Sequence, residues 1–490
     1  MTQRFFRAAL TAATLAAAAS CGLTPGDNPL FHSESQVITF SAPDELVPVE
    51  LHYQSRTQLN ALANAGVDFW SVDRHHLRAK AALNQAQYQK AKDLGVSIIK
   101  RKTAVLKNHF DKGYHTYDTM LAELKDVAAK HGDLCELLDI GKTWETLQSR
   151  ADRRIWAIHF KKAGAGKPVV LFVGCHHARE IVTPEMVLGM VHYLADNYGK
   201  DAEVTSDIDN RDIWLVPMVN PDGHALAVQG ESQRKNTNNI TGGHVNRGVD
   251  LNRNYAAAWG TAGDSGDPDS DVFRGKSAFS EPETQAMRDL ETRIKPVFLL
   301  TFHSFSNSVM WSWDKSDAPP PDPRLEPIGK QLGKLSGYDA YQGCQMYINS
   351  GDDVDWTQEF LHTLSYTVEI GSYEDNFDPA YSKVPQFWNE NRPMMLYCLK
   401  VADNPNAVGG PELASAQVVN GAIAVTPKAP VTQAEYFLGR PGAAGTGHPL
   451  SGNGNRLSAP LSASQGREVV YLHARGANGV WGAWQTIWNQ

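Results

Sequence analysis

The stretch LFVGCHHAREIVTPEM, residues 171–186, joins an apolar run typical of a buried strand to the start of an apolar helix pattern. Between them lie two histidines, an arginine and a glutamate. We predict a helix over residues 184–198, with Thr183 as its N-cap, Pro184 in its first turn and Gly199 at its end. A strand that leads through a polar loop into a helix is the repeating unit of an α/β fold.

The same alternation extends from about residue 114 to residue 402. Short apolar runs rich in β-branched and aromatic residues are separated by helix patterns such as residues 281–293. The predicted strands are IWAIHF, KPVVLFVG, DIWLVPMV, VFLLTF and SYTVEI. Near-continuous hydrophobic strands are typical of parallel or mixed sheets with helices on their faces. We therefore predict an α/β fold with a mixed sheet flanked by helices.

Two smaller units flank this region. Residues 49–102 alternate strand and helix patterns over a short length, which predicts a small α+β unit ending in the basic run KRK. That run indicates either a protease-sensitive joint or a solvated basic turn. After Asn404 short strand patterns with Gly and Asn turns predict a β-sandwich module. We place the boundaries of the three units at residues 30–105, 106–403 and 404–490.

The composition indicates a globular protein that is exported and does not bind nucleic acid. Its 490 residues are 42% hydrophobic and carry a net charge of −8, and no basic stripe is present. Residues 1–21 combine Arg4 and Arg7 with an Ala/Leu-rich run, which predicts a signal peptide rather than a transmembrane span. Cys21 also permits cleavage as a lipoprotein and anchoring by a lipid. We expect a secreted, periplasmic or cell-envelope protein.

A metal site is suggested by residues that lie far apart in the chain. His177 and Glu180 lie three residues apart, where both can meet one cation, although the pair by itself is more typical of a polar loop. His303 directly follows VFLLTF, and Glu369 lies at the end of SYTVEI. The carboxyl ends of parallel strands meet at one sheet edge. These residues therefore predict a zinc-type site with a carboxylate base beside it.

Three further polar residues fit the same chemistry. In DLNRN, Asn252 and Arg253 can grip a carboxylate, because the guanidinium fork matches two carboxylate oxygens. Arg234, in SQRKN, supplies a second cation that can polarise a carbonyl or hold an oxyanion. Alone, an arginine is most often a surface salt-bridge residue, so these assignments depend on the metal site.

Taken in order, these motifs resemble those of the M14 family of zinc carboxypeptidases, the carboxypeptidase A/B-like group. The matching pieces, spread over residues 114–402, are GCHHARE, NPDG, SQRKN, DLNRN, FRGKSAFSEPET, TFHSFS, YINSGDDVDW and YTVEI. The resemblance implies a mixed sheet of roughly eight strands. It also implies a hydrolase that trims peptides and proteins one residue at a time from a free C-terminus.

The resemblance further implies roles for the metal-site residues. His177, Glu180 and His303 would ligate one zinc ion per chain. Asp250 would accept the outer N–H of His177. Glu369 would activate the attacking water as general base and then protonate the leaving amine. The histidine before His177 would be a packing or surface residue.

Roles in substrate binding follow from the same resemblance. Arg234 would stabilise the tetrahedral oxyanion. Asn252, Arg253 and Tyr347 would hold the terminal carboxylate of the substrate, which fixes the register of cleavage. Arg179 would line the next subsite outward.

The stretch SGDDVDW corresponds to the specificity pocket of the family. Val354 occupies the position whose apolar identity accompanies hydrophobic or aromatic C-terminal residues, so we predict that preference. Asp352 and Asp353 lie beside it and could accept Lys or Arg by charge pairing, which leaves mixed specificity as the alternative. We expect these two acids to face water, as acids in Gly-rich loops usually do.

The N-terminal unit resembles the propeptide of the same family in its order of elements and in GVDFW. The resemblance implies a zymogen in which this unit covers the cleft until an activating protease cuts near Lys100–Lys102. The acidic stretch GDSGDPDSD, residues 263–271, lacks the spacing of a calcium loop, and we predict a solvated loop.

Three other functions are alternatives to C-terminal trimming. The same chemistry could act on cell-wall peptides, whose stems also end in carboxylates. A non-catalytic binding protein on this scaffold would require a missing catalytic residue, and none is missing. The sequence contains no G-x-S-x-G and no H-E-x-x-H, which argues against serine and thermolysin-type hydrolases.

Overall fold

The computed structural model describes residues 37–101, 110–239, 248–320, 322–405 and 410–489, apart from gaps at 440–441, 443, 454–455, 462–467, 478 and 483. The predicted signal peptide and lipid-anchor cysteine lie outside the described residues, as does the end of the predicted joint at Lys102. Within the described residues, no helix has both the length and the apolar character needed to cross a membrane.

The N-terminal unit is a four-stranded antiparallel sheet covered by two helices. Its strands lie in the order β2-β3-β1-β4. Leu51, Leu59 and Ile98 are buried between the sheet and the helices, and both helices begin with a capping box. The elements are β1 (Val47–His52), α1 (Arg56–Ala63), β2 (Phe69–Asp73), β3 (Arg78–Leu83), α2 (Gln85–Asp93) and β4 (Ser97–Lys100). The α+β character predicted for this segment is confirmed.

An eight-stranded mixed sheet forms the centre of the molecule, which confirms the predicted fold class. Its order is β11-β10-β12-β9-β7-β8-β6-β5, and the four central strands are parallel. Every residue of β7 and β9 is buried, because helices cover both faces of the sheet. The strands are β5 (Cys135–Lys142), β6 (Arg154–Phe160), β7 (Val169–Gly174), β8 (Asp212–Val216), β9 (Phe298–His303), β10 (Ser308–Trp311), β11 (Asp339–Gln342) and β12 (Leu364–Glu369).

Alternate side chains of the central strands enter two separate cores. Phe172 and Leu300 belong to the larger core, whereas Leu171 and Leu299 belong to the smaller one. The helices are α3 (Tyr117–Lys130), α4 (Trp144–Leu147), α5 (Thr183–Asn197), α6 (Ala202–Asn210), α7 (Pro221–Ala227), α8 (Pro282–Ile294), α9 (Leu325–Ser336), α10 (Asp353–Leu361) and α11 (Val384–Val401). Residues of α3, α5, α9 and α11 fill the larger core, and residues of α8 and α10 fill the smaller one.

The predicted N-cap of α5 is wrong. The helix is capped by Val182, and Thr183 is its first residue. The Thr183 hydroxyl instead donates to the carbonyl of Glu180 at 2.8 Å and accepts from the amide of Cys175 at 3.0 Å. Thr183 therefore fastens both ends of the polar loop that precedes the helix.

Gly174, at the end of β7, is required by close packing. A Cβ at this position would lie 2.8 Å from the carbonyl oxygen of Pro217 and 3.0 Å from that of Thr183. Any larger residue would push the loop away from the sheet. The position of the polar loop therefore depends on this glycine.

The C-terminal residues form two further four-stranded sheets, as the predicted β-sandwich requires. Their orders are β13-β14-β18-β17 and β16-β15-β19-β20. One core containing Ile423, Leu457, Val470 and Leu472 joins them. The strands are β13 (Leu413–Val419), β14 (Ala422–Pro427), β15 (Gln433–Leu438), β16 (His448–Pro449), β17 (Ser451–Asn453), β18 (Arg456–Pro460), β19 (Val469–Arg475) and β20 (Gln485–Trp488).

Candidate active site

Three ligand-type side chains converge at the carboxyl ends of β7 and β9. The Nδ1 atom of His177 lies 2.7 Å from Oε1 of Glu180 and 3.1 Å from Nδ1 of His303. The Oε2 atom of Glu180 lies 3.1 Å from the same His303 nitrogen. All three side chains are buried, and they form the only group of potential metal ligands found among the described residues. The structure thus brings together residues separated by more than 120 positions in the sequence.

The outer nitrogens of both histidines have partners that leave Nδ1 facing the centre. Nε2 of His177 lies 3.2 Å from Oδ1 of Asp250, and Nε2 of His303 lies 3.4 Å from the Thr301 hydroxyl. A hydrogen bond at the outer nitrogen fixes the tautomer in which the inner nitrogen carries a free lone pair. Asp250 lies within hydrogen-bond distance of the outer nitrogen of His177, and its role in orienting a metal ligand stays a prediction.

The donor set fits a zinc ion. Two imidazoles and one carboxylate are a ligand combination that catalytic zinc sites use, with a further position open for water or substrate. Within the described part of the chain, the buried Oε2 atom of Glu180 makes no well-aligned hydrogen bond, so it retains a lone pair for a cation. Burial raises the pKa of Glu180, but the neighbouring His177 and His303 outweigh that effect and hold it below its usual range.

His176, beside the first of these ligand-type residues, points elsewhere. Its Nε2 atom lies 2.8 Å from the Tyr255 hydroxyl, and its Nδ1 atom lies 3.2 Å from the Thr301 hydroxyl. It is fully buried, which agrees with the predicted packing role. Asn220 of the NPDG motif donates to the carbonyl of His176 at 3.1 Å and holds the loop in place.

Glu369 ends β12 directly beside His303. The two residues are paired in the parallel register of β12 and β9, so their side chains leave the sheet at the same edge. Burial raises the pKa of Glu369 well above its usual range, and the charge of Glu180 adds to the effect. A carboxyl group with a raised pKa is suited to exchanging protons near neutral pH.

Arg234 connects the metal site to the substrate cleft. Its Nε atom donates to Asp250 at 2.9 Å, and its Nη1 atom lies 3.4 Å from Nδ1 of His177. Nη1 also lies 3.5 Å from Asp68 of the N-terminal unit. The guanidinium is thus fixed in the cleft with one edge directed towards the metal site.

The three residues predicted to clamp a carboxylate, Asn252, Arg253 and Tyr347, lie in the same cleft. Arg253 donates through Nη2 to the Tyr347 hydroxyl at 3.2 Å and through Nη1 to the carbonyl of Asn252 at 2.7 Å. The side-chain oxygen of Asn252 accepts a hydrogen bond from the backbone amide of Asp353. This bond fixes the orientation of the Asn252 side chain. These three clamp residues, the metal-site residues and Glu369 line one cavity.

Comparison with known proteins decides the family. Residues 120–394, more than half of the chain, match the sequence model of a family described as zinc carboxypeptidase. The chain belongs to the zinc carboxypeptidase family. The predicted family, hydrolase activity and zinc cofactor are thereby confirmed, since members of this family use one zinc ion.

Individual carboxypeptidases give the same result. The chain is 31% identical over 302 residues to metallocarboxypeptidase A of Arthroderma otae, covering 57% of this chain and 70% of that protein. It is 31% identical over 268 residues to carboxypeptidase A1 of Rattus norvegicus, covering 52% and 62%. The fold is similar to that of carboxypeptidase A from Helicoverpa armigera, with a TM-score of 0.61 and 24% identity over 75% of this chain and 99% of that one.

The N-terminal unit covers the cleft of this carboxypeptidase. Asp68 forms an ion pair with Arg179, with 2.5 Å between Oδ2 and Nη2, and Phe69 packs against Tyr347 of the clamp. The enclosed cavity has a volume of about 60 Å³, which is room for a few water molecules but not for a peptide. Arg179 is buried in this covered state, and its place in a substrate subsite stays a prediction.

The stretch predicted to form the specificity pocket is buried. Val354 does not line the covered cavity, and the apolar preference stays a prediction. The prediction that Asp352 and Asp353 face water is wrong, because α10 begins inside the protein. Asp314, which the sequence analysis did not single out, does line the cavity.

The acidic loop at 263–271, predicted to be solvated, is only partly exposed: Asp267 and Asp269 face water, whereas Asp264 is buried. Lys235 donates through Nζ to the carbonyls of Pro268 and Ser270 at 2.9 and 2.7 Å. In a calcium-binding loop such carbonyl oxygens would coordinate the ion. Here they accept hydrogen bonds from the ammonium group of Lys235 instead.

Proposed function

We propose that this protein is an exported zinc carboxypeptidase that hydrolyses the last peptide bond of peptides and proteins with a free C-terminus. The observation that carries the proposal is the single cavity lined by the metal-site residues, Glu369 and the carboxylate clamp. A metal site alone would support many hydrolases. A buried arginine that faces the same cavity restricts the substrate to one with a carboxylate near the scissile bond.

The clamp sets the position of cleavage. Arg253 offers its fork to the terminal carboxylate of the substrate, with the Asn252 amide and the Tyr347 hydroxyl beside it. Because the clamp is fixed relative to Glu369, only the bond next to the last residue reaches the catalytic group. The enzyme therefore removes one residue at a time.

His177, Glu180 and His303 would hold the zinc ion, and Asp250 would orient the first of them through its outer nitrogen. When bound, zinc supplies Lewis-acid chemistry, which acidifies water and polarises a carbonyl.

Proton transfer is assigned to Glu369. Its carboxylate takes a proton from the attacking water as the new C–O bond forms at the scissile carbonyl carbon. The same proton then passes to the amine as the C–N bond breaks. Arg234 donates hydrogen bonds to the oxygen on which negative charge develops.

The N-terminal unit, residues 30–105, is proposed to keep the enzyme inactive. Support comes from Asp68, which engages both Arg179 and Arg234, and from the small size of the covered cavity. An activating protease would cut in the basic segment that follows β4 and release residues 106–403 with the C-terminal module 404–490. Export is supported by the signal pattern in residues 1–21, which places the enzyme in the envelope or outside the cell.

The test uses the full chain after limited proteolysis at the joint. A blocked dipeptide with a free C-terminal carboxylate should be hydrolysed, a zinc chelator should abolish the hydrolysis, and added zinc should restore it. Hydrolysis that persists in excess chelator would remove the metal from the mechanism and overturn the proposal.

A further inference from the structure

A second cavity lies between the catalytic unit and the C-terminal module, and the proposed hydrolysis does not use it. Its volume is about 410 Å³, against about 60 Å³ for the covered active-site cavity. Pockets that bind small ligands commonly have volumes of about 300–1,000 Å³. Glu326, Lys330 and Ala444 on its walls are exposed, so the cavity opens to solvent. The cavity therefore has the size and the access that a ligand needs.

One wall of this cavity is a stack of three rings in the C-terminal module. The ring centroid of His473 lies 3.5 Å from that of Trp484 and 4.4 Å from that of Trp481, at interplanar angles of 17° and 21°. All three residues line the cavity. Carbon atoms in contact lie about 3.5–4.0 Å apart, so both tryptophan rings touch the histidine ring. The stack therefore offers flat aromatic surface without an opening between its rings.

Buried polar groups hold this ring stack in place. His473 and Glu435 are both buried, and Nε2 of His473 lies 2.7 Å from Oε1 of Glu435. The Glu435 carboxylate also accepts from the backbone amides of Gly445 and Gly447, each at 2.7 Å. Burial lowers the pKa of His473 despite the neighbouring Glu435, so its ring is neutral at neutral pH. The aromatic wall is thus fixed in position, and its rings are uncharged.

The other wall belongs to the catalytic unit. Pro320, Pro323 and Pro327 line the cavity with rigid apolar rings, and Glu326 and Lys330 on α9 line it with polar ends. Nζ of Lys330 donates to the Glu326 carboxylate, so these two charges compensate each other. They are the only charged residues among the described residues that line the cavity. Because neither sign of charge prevails, the cavity favours a neutral ligand.

The chemistry of the two walls suits a sugar. A pyranose ring carries C–H bonds on its faces, which stack on aromatic rings, and hydroxyls around its edge, which hydrogen-bond to polar groups. In the part of the chain that the structure describes, the indole N–H of neither Trp481 nor Trp484 donates to a protein acceptor. Glu326 adds an acceptor and Lys330 adds donors at the rim. The walls therefore offer both the flat faces and the hydrogen-bonding groups that a sugar requires.

A proline-rich peptide is the other ligand that an aromatic wall could bind. Such peptides dock their prolyl rings into grooves between aromatic side chains. The rings of Trp481, His473 and Trp484 are in contact with one another and leave no such groove between them. The geometry therefore favours the sugar over the peptide.

We infer that this cavity is a second binding site, which takes a neutral oligosaccharide of about two or three rings. The tryptophan rings stack on the sugar faces, and Glu326 and Lys330 hydrogen-bond to the hydroxyls. Because the walls come from two units, a bound sugar also stabilises the contact between the catalytic unit and the module. The two cavities share no lining residue in the described part of the chain, so the sugar site acts independently of hydrolysis.

The test titrates the full chain, by calorimetry, with β-1,4-linked trisaccharides of glucose, N-acetylglucosamine, mannose and xylose, and with a polyproline peptide. We expect at least one trisaccharide to bind with a Kd below about 1 mM, and we expect no binding of the peptide. Trp481→Ala should raise that Kd about tenfold or more, because it removes a stacking surface. Trp488→Ala is the matched control, since Trp488 is exposed on β20 and does not line the cavity.

A double variant on α9 decides the test if Trp481→Ala fails to fold. Glu326→Ala combined with Lys330→Ala removes two exposed polar side chains from the catalytic unit and should raise the Kd about threefold or more. Hydrolysis of a blocked dipeptide by the activated, zinc-loaded enzyme should be the same in these variants as in the wild type, because the site lies outside the active-site cavity.

The outcomes separate the sugar site from the proposed function. Failure of every trisaccharide to bind with a Kd below about 10 mM would overturn the inference, and so would binding of the polyproline peptide in place of the sugars. An unchanged Kd in folded Trp481→Ala, or in the double variant where Trp481→Ala does not fold, would also overturn it, because the sugar would then bind elsewhere. Absence of hydrolysis by the wild type would instead overturn the proposed function and leave the sugar site standing.

Discussion

Asp68 of the N-terminal unit forms a buried ion pair with Arg179 of the catalytic unit, with 2.5 Å between Oδ2 and Nη2. Burial raises the pKa of Asp68, but Arg179 and Arg234 outweigh that effect and hold it below its usual range. The carboxylate is therefore charged, and it engages two cations that the substrate is proposed to use.

Asp68→Asn is expected to raise the activity of the uncleaved protein. The substitution removes the negative charge that pairs with Arg179 and leaves the buried N–H donors of Arg179 and Arg234 poorly satisfied. The state in which the N-terminal unit covers the cleft should therefore become less stable by about 2–4 kcal/mol. Hydrolysis by uncleaved variant and wild type should be compared, with Asp73→Asn as control, since Asp73 pairs within the N-terminal unit. Equal activity of uncleaved Asp68→Asn and wild type would contradict an inhibitory role for this contact.

Glu369→Gln is expected to lower kcat about 1,000-fold while zinc content and KM change little, because the amide cannot accept the proton of water. The matched control is Glu359→Gln on α10, whose partly exposed carboxylate pairs with Lys315. Turnover within tenfold of the wild-type value would exclude Glu369 as the general base.

The two adjacent histidines should differ in their effect on zinc binding. His177→Ala removes a ligand atom and should weaken zinc affinity about 100-fold or more, measured by competition with a chromophoric chelator. His176→Asn changes a residue that contacts Tyr255 and Thr301, and its zinc affinity should stay within about tenfold of the wild type. The reverse order would show that the metal is held by the first histidine.

His115 gives the stability of the fold a predictable pH dependence. Its two ring nitrogens each lie 2.9 Å from a carboxylate, that of Glu123 and that of Glu185. The hydrogen bond to Glu185 raises the pKa of His115 to about 9, against the opposing effect of burial. Because the folded-state pKa is above the unfolded value, this stabilisation is fully present below about pH 6.5 and is lost as pH rises through about 9.

Replacement of His115 should therefore matter most at low pH. His115→Asn is expected to lower the free energy of unfolding by about 1–2 kcal/mol at pH 6 and by much less at pH 10, measured by urea titration of the zinc-loaded protein. The exposed His362, replaced by Asn, serves as control. A difference between variant and wild type that stays constant with pH would contradict the ion-pair origin of the shift.

Much of the sheet could be predicted because its central strands are buried on both faces. VVLFVG is an unbroken apolar run and FLLTFH a nearly continuous one, and both strands are fully buried. The strand β3, with sequence RAKAAL, could not be predicted in the same way. Alanine and charged residues have low strand propensity, and β3 exists because it pairs with β1 and β2 on either side.

The group of His177, Glu180 and His303 was predictable because these residues follow strands that the sequence shows clearly. They also lie in motifs that occur in the same order as in the zinc carboxypeptidase family. The burial of Asp314 and Asp352 was not predictable, because it is decided by packing between distant segments. Asp314 is enclosed by the loops that carry Gly343 and Asn349, and nothing in its local sequence indicates this. Asp352 resembles a solvated loop acid in sequence, yet it caps a helix whose first turn is buried.

A carboxylate clamp is proposed to direct this zinc hydrolase to the last peptide bond. The most direct measurement follows, by mass spectrometry, two copies of one peptide that differ only in a free or an amidated C-terminus. The activated enzyme should shorten the free peptide by one residue at a time and leave the amidated peptide intact. Comparable hydrolysis of the amidated peptide, or cleavage at internal bonds of either, would contradict the account.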